Sequence, residues 1–268
     1  MAGAVNGEAP TLAAVDAQDA RRIEEAGLNA LQTSLQRFYD GWLLRLCPGK
    51  AKRGRSVNAH FGSNLPLTDK IAWCEREYAA RGLPVLFRIT PFVQPPALDG
   101  VLAAQGFLAF DETLVQAAPI AGLSLAIEPP FGVTLGEVDA DAFADVTAAM
   151  RHSSAIEREA HREWLVHSPL PRRFVVLREG GAVVCAAQVT LDGECAGVFD
   201  VGTIVAARSK GYATYACAEL LAWALGQGAR LGYLQVTADN AAALAVYRRL
   251  GFATLYTYHY RARPGECR

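Results

Sequence analysis

No stretch of this 268-residue chain holds the roughly 18 uninterrupted apolar residues that cross a bilayer, so no membrane span is expected. The opening Met1 to Val15 lacks both the basic start and the apolar stretch of a secretory signal, and reads as a flexible tail. Six cysteines (Cys47, Cys74, Cys185, Cys195, Cys217, Cys267) include no C-x-x-C pair, which fits reduced thiols filling cores in a cytoplasmic protein. Neither charge sign is in excess: 26 Lys and Arg against 27 Asp and Glu leave a net −1, unlike a nucleic-acid binder. There is no G-x-S-x-G elbow, and no Lys-Ser/Thr follows Gly211 as a Walker loop would require. His152, His161 and His167 are spaced nine and six apart, not at the i, i+4 interval of a helical zinc site, so no metal is expected.

What is present is apolar material, 51% of residues, enough for one or two cores at about 150 residues per domain. Periodicity predicts a helix over Asp16–Gln36 and a strand over Phe38–Leu46. A basic loop with Lys50, Lys52, Arg53 and Arg55 follows; it could attract an anionic acceptor or be ordinary solvated surface. A short strand from Ser56 precedes a helix over Leu67–Arg81, with Thr68 or Asp69 as its cap and Gly82 as its stop. A strand, a short helix ending at Gly106-Phe107 and another strand complete the first half. Pro119 to Gly132 reads as a linker. The second half runs strand, two helical pieces, a hairpin around Glu179-Gly180-Gly181, a strand over Ala196–Val205, a helix from Gly211, a strand, a helix from Asn240 and a last strand. The two halves share this order, and Gly106-Phe107 is echoed by Gly251-Phe252. The expected division is a tail at 1–15, one unit at 16–120, a linker at 121–132 and a second unit at 133–268. Trp42, Trp73, Trp164 and Trp223 fall on apolar stripes and read as core.

The stretch that points to chemistry runs from Val198 to Thr214, where a strand enters a short basic loop that opens a long helix. Amides at a helix start are unpaired and carry the positive end of the dipole. Gly211 clears the approach, Ala213 keeps the next contact small, and Arg208 and Lys210 add charge, which together suit a pyrophosphate. A tight turn alone would also place a glycine there. Downstream, Asn240, Ala243 and Tyr247 are three and four apart and so share one helix face.

Arg208-x-x-Gly211-x-Ala213, followed by Asn240-x-x-Ala243-x-x-x-Tyr247 and Leu250-Gly251-Phe252, resembles the acetyl-CoA motifs of the GNAT superfamily of N-acetyltransferases. The resemblance covers Val133 to the end, and Ala213 departs from the family's second glycine. The first half resembles a degenerate second copy without the phosphate loop. The implied fold is α/β, two tandem GNAT-like domains, each a mixed and mostly antiparallel sheet flanked by helices.

The resemblance also implies roles. Two strands, those with Val201 and Val236, should splay apart and take the pantetheine arm like an added strand, along Val201, Gly202 and Thr203. Arg208, Ser209, Lys210, Gly211, Tyr212, Ala213 and Thr214 would hold the pyrophosphate, and Asn240 would touch the pantetheine arm. Tyr247 would protonate the departing thiolate. Many relatives carry a glutamate on one splayed strand, but Gln235 stands near Val236 here, so Asp200 is the first candidate base. Glu157, Glu159 and His152 come next. The implied reaction transfers acetyl from acetyl-CoA to a primary amine of a small molecule or peptide, without a metal. The first half would close one wall of the acceptor site, in a monomer or homodimer. The alternative is a non-catalytic acyl-CoA-binding or regulatory module, which Gln235 keeps open.

Overall fold

The computed structural model describes residues 15–267. The tail expected at 1–15 therefore lies, apart from Val15, outside the described residues. In chain order the elements are α1 (Ala17–Asn29), β1 (Gln36–Tyr39), β2 (Trp42–Arg45), β3 (Ser56–Ala59), α2 (Leu67–Ala79), β4 (Leu86–Ile89), α3 (Leu98–Ala104) and β5 (Leu108–Pro119). The second half adds β6 (Val133–Val138), α4 (Ala140–Arg151), α5 (Ala155–Val166), β7 (Arg172–Glu179), β8 (Ala182–Asp192) and β9 (Cys195–Thr203). It closes with α6 (Tyr212–Gly226), β10 (Leu231–Thr237), α7 (Ala241–Leu250) and β11 (Ala253–Ala262).

Three local expectations are corrected. The single strand over Phe38–Leu46 is a hairpin, β1 and β2, turning at Asp40-Gly41 with φ of 42° and 84°. An Asp-Gly pair accepts two successive left-handed residues, which is what a two-residue hairpin turn needs. A Cβ on Gly41 would also lie 2.4 Å from the Gly62 carbonyl oxygen. Neither Thr68 nor Asp69 caps α2; Pro66 holds that position without a side-chain bond, and both residues fall inside the first turn. The first helix stops at Asn29 rather than running on to Gln36.

Among the described residues all eleven strands join one sheet, in the order β1-β2-β3-β4-β11-β5-β10-β9-β8-β7-β6. Each half contains one parallel pair with a helical crossover, β3–α2–β4 and β9–α6–β10, and its other pairings are antiparallel. The halves meet by exchange of their last strands. β5, from the first half, lies against β10, whereas β11, from the second half, pairs with β4 and β5. Between the 3-10 turn at Ile120–Gly122 and β6 the segment expected as a linker carries no helix or strand, and the backbone ladder joins the strands on its two sides.

One face of the sheet packs under α6 and α7 in the second half, and under α2 and α3 in the first. On the opposite face α4 and α5 cover the outer strands of the second half, and α1 lies over the junction. The α1 helix begins with a capping box at Asp16 and Asp19 and buries Ile23 and Ala26. It also buries Glu24, whose carboxylate accepts bonds from Arg88 on β4 and from the Tyr256 hydroxyl on β11 at 2.6 Å. Burial alone would raise the Glu24 pKa, but the Arg88 charge and hydrogen bonds hold it below the usual value. That pair ties α1 to a strand from each half.

Because β11 finds both neighbours in the first half, residues 121–268 produced alone should not yield a folded monomer. β11 would carry two open edges and β10 one, the condition that favours aggregation. Size-exclusion chromatography with amide-proton dispersion checks this, and co-expression with residues 15–120 should restore a soluble complex. A dispersed, monomeric spectrum from 121–268 by itself would contradict the expectation.

Candidate functional site

The sheet opens between β9 and β10. Their parallel pairing runs from Cys195↔Leu231 to Val198↔Leu234 and then stops. Beyond that point β10 keeps its partner on the other edge, with Thr237 opposite Thr113. β9 instead departs through a bulge. Gln188 pairs with Phe199 and Ala186 with Gly202, so three steps on β9 face two on β8. The extra residue falls around Asp200, whose φ is +53°. Beyond the bulge, the Ile204 amide donates to the Val184 carbonyl at 3.0 Å. By the alternation of an antiparallel ladder, the amides of Thr203 and Val201 then point the other way, into the gap.

At the mouth of this gap two helices begin. α6 starts after the loop of Arg208, Ser209 and Lys210, with Ser209 at φ +64° and Gly211 at φ +82°. A residue with a Cβ is strained at Gly211's dihedral, which accounts for the glycine. The α6 N-terminus has no side-chain cap and no acidic residue in its first turn, so its leading amides are left for an incoming anion. α7, by contrast, is capped by Asn240, whose Oδ1 accepts from the Ala243 amide at 3.1 Å.

A cleft of about 640 Å³ joins these parts. Of the residues expected from sequence, Val201, Gly202, Thr203, Arg208, Ser209, Gly211, Tyr212, Ala213, Thr214, Asn240, Tyr247 and Asp200 all line it. Lys210 does not; its ammonium pairs with Glu179 of the β7–β8 hairpin at 3.1 Å, and the Tyr212 hydroxyl donates to the same carboxylate at 2.9 Å. Tyr247 is only 7% exposed, and burial pushes its phenol up, so it stays protonated at neutral pH.

Asp200 sits deeper. Its Oδ1 accepts from Arg151 Nη2 at 2.7 Å, and its Oδ2 bonds His161 Nε2 at 2.9 Å and Gln188 Nε2 at 2.5 Å. Burial opposes its charge, but Arg151 and His161 outweigh that and hold the carboxyl well below its ordinary value. A carboxylate so satisfied is a poor proton acceptor and a good anchor. The other ring nitrogen of His161, Nδ1, lies 3.3 Å from Thr147 Oγ1, and Thr147 also lines the cleft. Sequence reasoning set His161 aside with the metal question, because nothing linear links it to Asp200, 39 residues on.

The remaining candidate bases are engaged elsewhere. Glu157 closes the capping box of α5 with Ser154 and faces Lys50 at 3.5 Å. Glu159 is paired with Arg162, and His152 is the exposed, left-handed C-cap of α4. Gln235 lies under α1, where its Oε1 accepts from the Tyr258 hydroxyl at 2.9 Å and its amide nitrogen occupies the space a Cβ on Gly27 would need. A second, smaller cavity of about 80 Å³ lies between the 47–54 loop of the first half and α4 and α5, and shares Thr147, Arg151 and Asp200 with the cleft. Among the described residues no group of His, Cys, Asp and Glu is arranged to hold a metal, and no helix is long and apolar enough to cross a membrane.

Comparison with known proteins agrees with this architecture. Residues 140–252 match the model of the acetyltransferase (GNAT) family. A relative from Bacillus subtilis (strain 168), named uncharacterized N-acetyltransferase YobR, is 24% identical over 247 residues, 91% of this chain and 99% of that protein. Among solved structures, a GCN5-related N-acetyltransferase from Kribbella flavida superposes with a TM-score of 0.67 at 21% identity, covering 92% of this chain and 96% of that one. A tandem GNAT protein from the clavulanic acid biosynthesis pathway gives a TM-score of 0.56 at 16% identity, over 72% of this chain and 68% of that one. These two structures share the fold.

The Asp200 network makes a pH prediction. Its folded pKa lies below the unfolded value near 3.8, so its stabilisation is complete above that value and fades as pH falls through the lower folded one. Arg151 is more than a third exposed, so solvent screens part of the pair. Asp200→Asn should cost about 1–3 kcal/mol at neutral pH. Urea titrations should show the same deficit at about pH 7 and 5 and a smaller one below about pH 4. A deficit that grows on acidification would contradict the assignment.

Proposed function

We propose, because residues 140–252 match the model of the acetyltransferase (GNAT) family, that the protein is an acetyl-CoA-dependent N-acetyltransferase acting on a primary amine. The observation that carries the proposal is the coincidence, in one cleft, of a splayed strand pair, an uncapped helix start and a buried protonated tyrosine. Two left-handed residues ahead of α6 curve the loop so that successive amides converge, a form suited to a diphosphate. Arg208 lines the same end with a cation. The Val201 and Thr203 amides can pair with an extended amide-bearing arm as a strand neighbour would.

Acetyl-CoA would supply an acyl carbon activated as a thioester, with the thiol as its leaving group. The chain's own residues then divide the remaining work. Thr147 stands between the cleft and His161 Nδ1; its hydroxyl donates to the Phe143 carbonyl at 2.8 Å, so an amine proton would pass to Thr147 Oγ1 as that hydroxyl turns from the carbonyl and gives its own proton to His161 Nδ1, 3.3 Å away. Asp200 holds His161 through Nε2 and so leaves Nδ1 as the accepting nitrogen; it positions the base and does not itself take the proton. With its lone pair freed, the amine nitrogen bonds the acyl carbon and the carbon–sulfur bond breaks. Inward amides of the bulge offset the charge that builds on the carbonyl oxygen. Tyr247 gives its proton to the departing sulfur; the second proton, which the nitrogen sheds as the neutral amide forms, passes to solvent, from which Tyr247 is reprotonated. Holding both partners in one cleft supplies much of the rate.

Three variants separate these roles, each read by free-thiol release with a panel of primary amines and by calorimetry with coenzyme A. Gly211→Glu places a bulky anion at the helix start and should abolish coenzyme A binding. Tyr247→Phe should lower kcat about 10²-fold or more, with coenzyme A affinity within a few-fold of wild type. His161→Gln should lower kcat about 10²-fold while leaving that affinity intact. Tight coenzyme A binding without thiol release from any amine would favour a binding module instead. A Tyr247→Phe enzyme as fast as wild type would remove the tyrosine from the mechanism.

A further inference from the structure

The smaller cavity carries more positive charge than its own carboxylates neutralise. Lys50 faces Glu157, Arg151 is paired with Asp200, and Arg158 bonds Asp145 outside the cavity. Among the described residues Arg53 has no ion pair, and its Nη1 is buried without a hydrogen-bond partner. Its guanidinium lies over the Phe199 ring, 5.2 Å from the centroid, beside the last β9 residue before the bulge. Two further arginines also lack an ion pair among the described residues, although Arg45 donates to the Leu28 carbonyl at 2.7 Å and Arg172 to Gln188 Oε1 at 3.0 Å and to the Ala30 carbonyl. Arg45 is 2% exposed with Nε and Nη1 unpartnered, and Arg172 has an unpartnered Nε. Burial lowers the pKa of each to about 10, and for Arg45 the neighbouring Arg53 and Arg88 charges add to the effect. The buried carboxylates that could answer them are already taken, Glu24 by Arg88 and Asp200 by Arg151 and His161.

A guanidinium withdrawn from water without a counter-ion is costly, and the fold bears that cost beside the reacting position. The cavity of about 80 Å³ admits a few heavy atoms, too few for a sugar or nucleotide. Its border with the cleft is formed by Thr147, Arg151 and Asp200, the residues at which the base network begins. An anion seated on Arg53 would therefore leave an amine one or a few carbons away at that border.

We propose that the cavity receives the carboxylate of the acceptor, with Arg53 as its principal ligand, so that the substrate is a small amine bearing a carboxylate, an amino acid. The planar fork of arginine matches a carboxylate through two parallel bonds, and ligand and cation would neutralise each other on binding. This rests on the acetyltransferase reading for its chemistry but on the cavity alone for its ligand. It also gives the first half a part in specificity, since loop 47–54, which supplies Arg53, is the wall that selects the acceptor.

The test uses the full chain and compares free amino acids with their methyl esters, with the matching decarboxylated amines, and with phosphoethanolamine as a larger anion. Thiol release should favour at least one amino acid over its ester by tenfold or more in kcat/KM. Arg53→Met should raise KM for that amino acid about tenfold to a hundredfold and erase the preference, and Arg53→Lys, which keeps the charge, should weaken it less. Equal use of amino acid and ester, a preference that survives in Arg53→Met, or phosphoethanolamine as the best acceptor would overturn the proposal. Calorimetry of the same amino acids into the protein saturated with coenzyme A reads the ligand apart from turnover. Heat with wild type and none with Arg53→Met upholds the carboxylate site even if no thiol is released, an outcome that would sink only the transferase reading. No heat from any amino acid overturns the site itself.

Discussion

The arrangement depends on one backbone event, the bulge at Asp200. A non-glycine residue in the left-handed region costs about 1–2 kcal/mol, and here three side chains from different elements hold it there. Arg151 comes from the end of α4, His161 from the middle of α5 and Gln188 from β8. Without the extra residue, β9 would continue alongside β10 as a regular parallel pair and the sheet would stay closed. With it, the inward amides of Val201 and Thr203 lose their strand partner and the gap between β9 and β10 becomes a place for another chain-like molecule. The same three contacts bring α4 and α5 over the strand ends, so one carboxylate holds the bulge and ties His161 beside the cleft.

The exchange of last strands makes each half of the sheet depend on the other. β5 completes the edge of β10 that the second half leaves open, and β11 is held between strands of the first half. The Glu24–Arg88–Tyr256 cluster locks α1 over this junction. Gln235 on β10 is sealed beneath that helix and bonded to Tyr258. In the proposed function the proton-accepting group stands instead on α5 at His161, so a glutamine at this β10 position does not weigh against that proposal.

Much of this was legible in the residues, for reasons that differ by element. The loop before α6 and the α7 helix are local: Gly211, Ala213, Asn240 and Tyr247 are set by helix starts and helix faces, which sequence spacing encodes directly. The repeated Gly-Phe after α3 and α7 is likewise local, and each marks a left-handed helix stop, Gly106 at φ +83° and Gly251 at φ +106°. Interactions across long separations were not legible. Asp200 stood out only for its place on the strand, and its saturation by three donors depends on residues 12 to 49 positions away. Lys210 read as part of the cradle because charge beside a glycine loop suggests a phosphate, and only the β7–β8 hairpin reveals Glu179 beside it. The strand exchange was beyond reach, since a duplicated order of elements is compatible with either pairing of the last strands.

The central claim is that the opened edge of β9 and the start of α6 together grip one ligand. Hydrogen–deuterium exchange with and without coenzyme A tests it at the level of single amides. Slowed exchange at Val201, Thr203 and the leading amides of α6, in both segments together, is the predicted result. Unchanged exchange in either segment at saturating coenzyme A, or protection confined to another groove of the molecule, would contradict it.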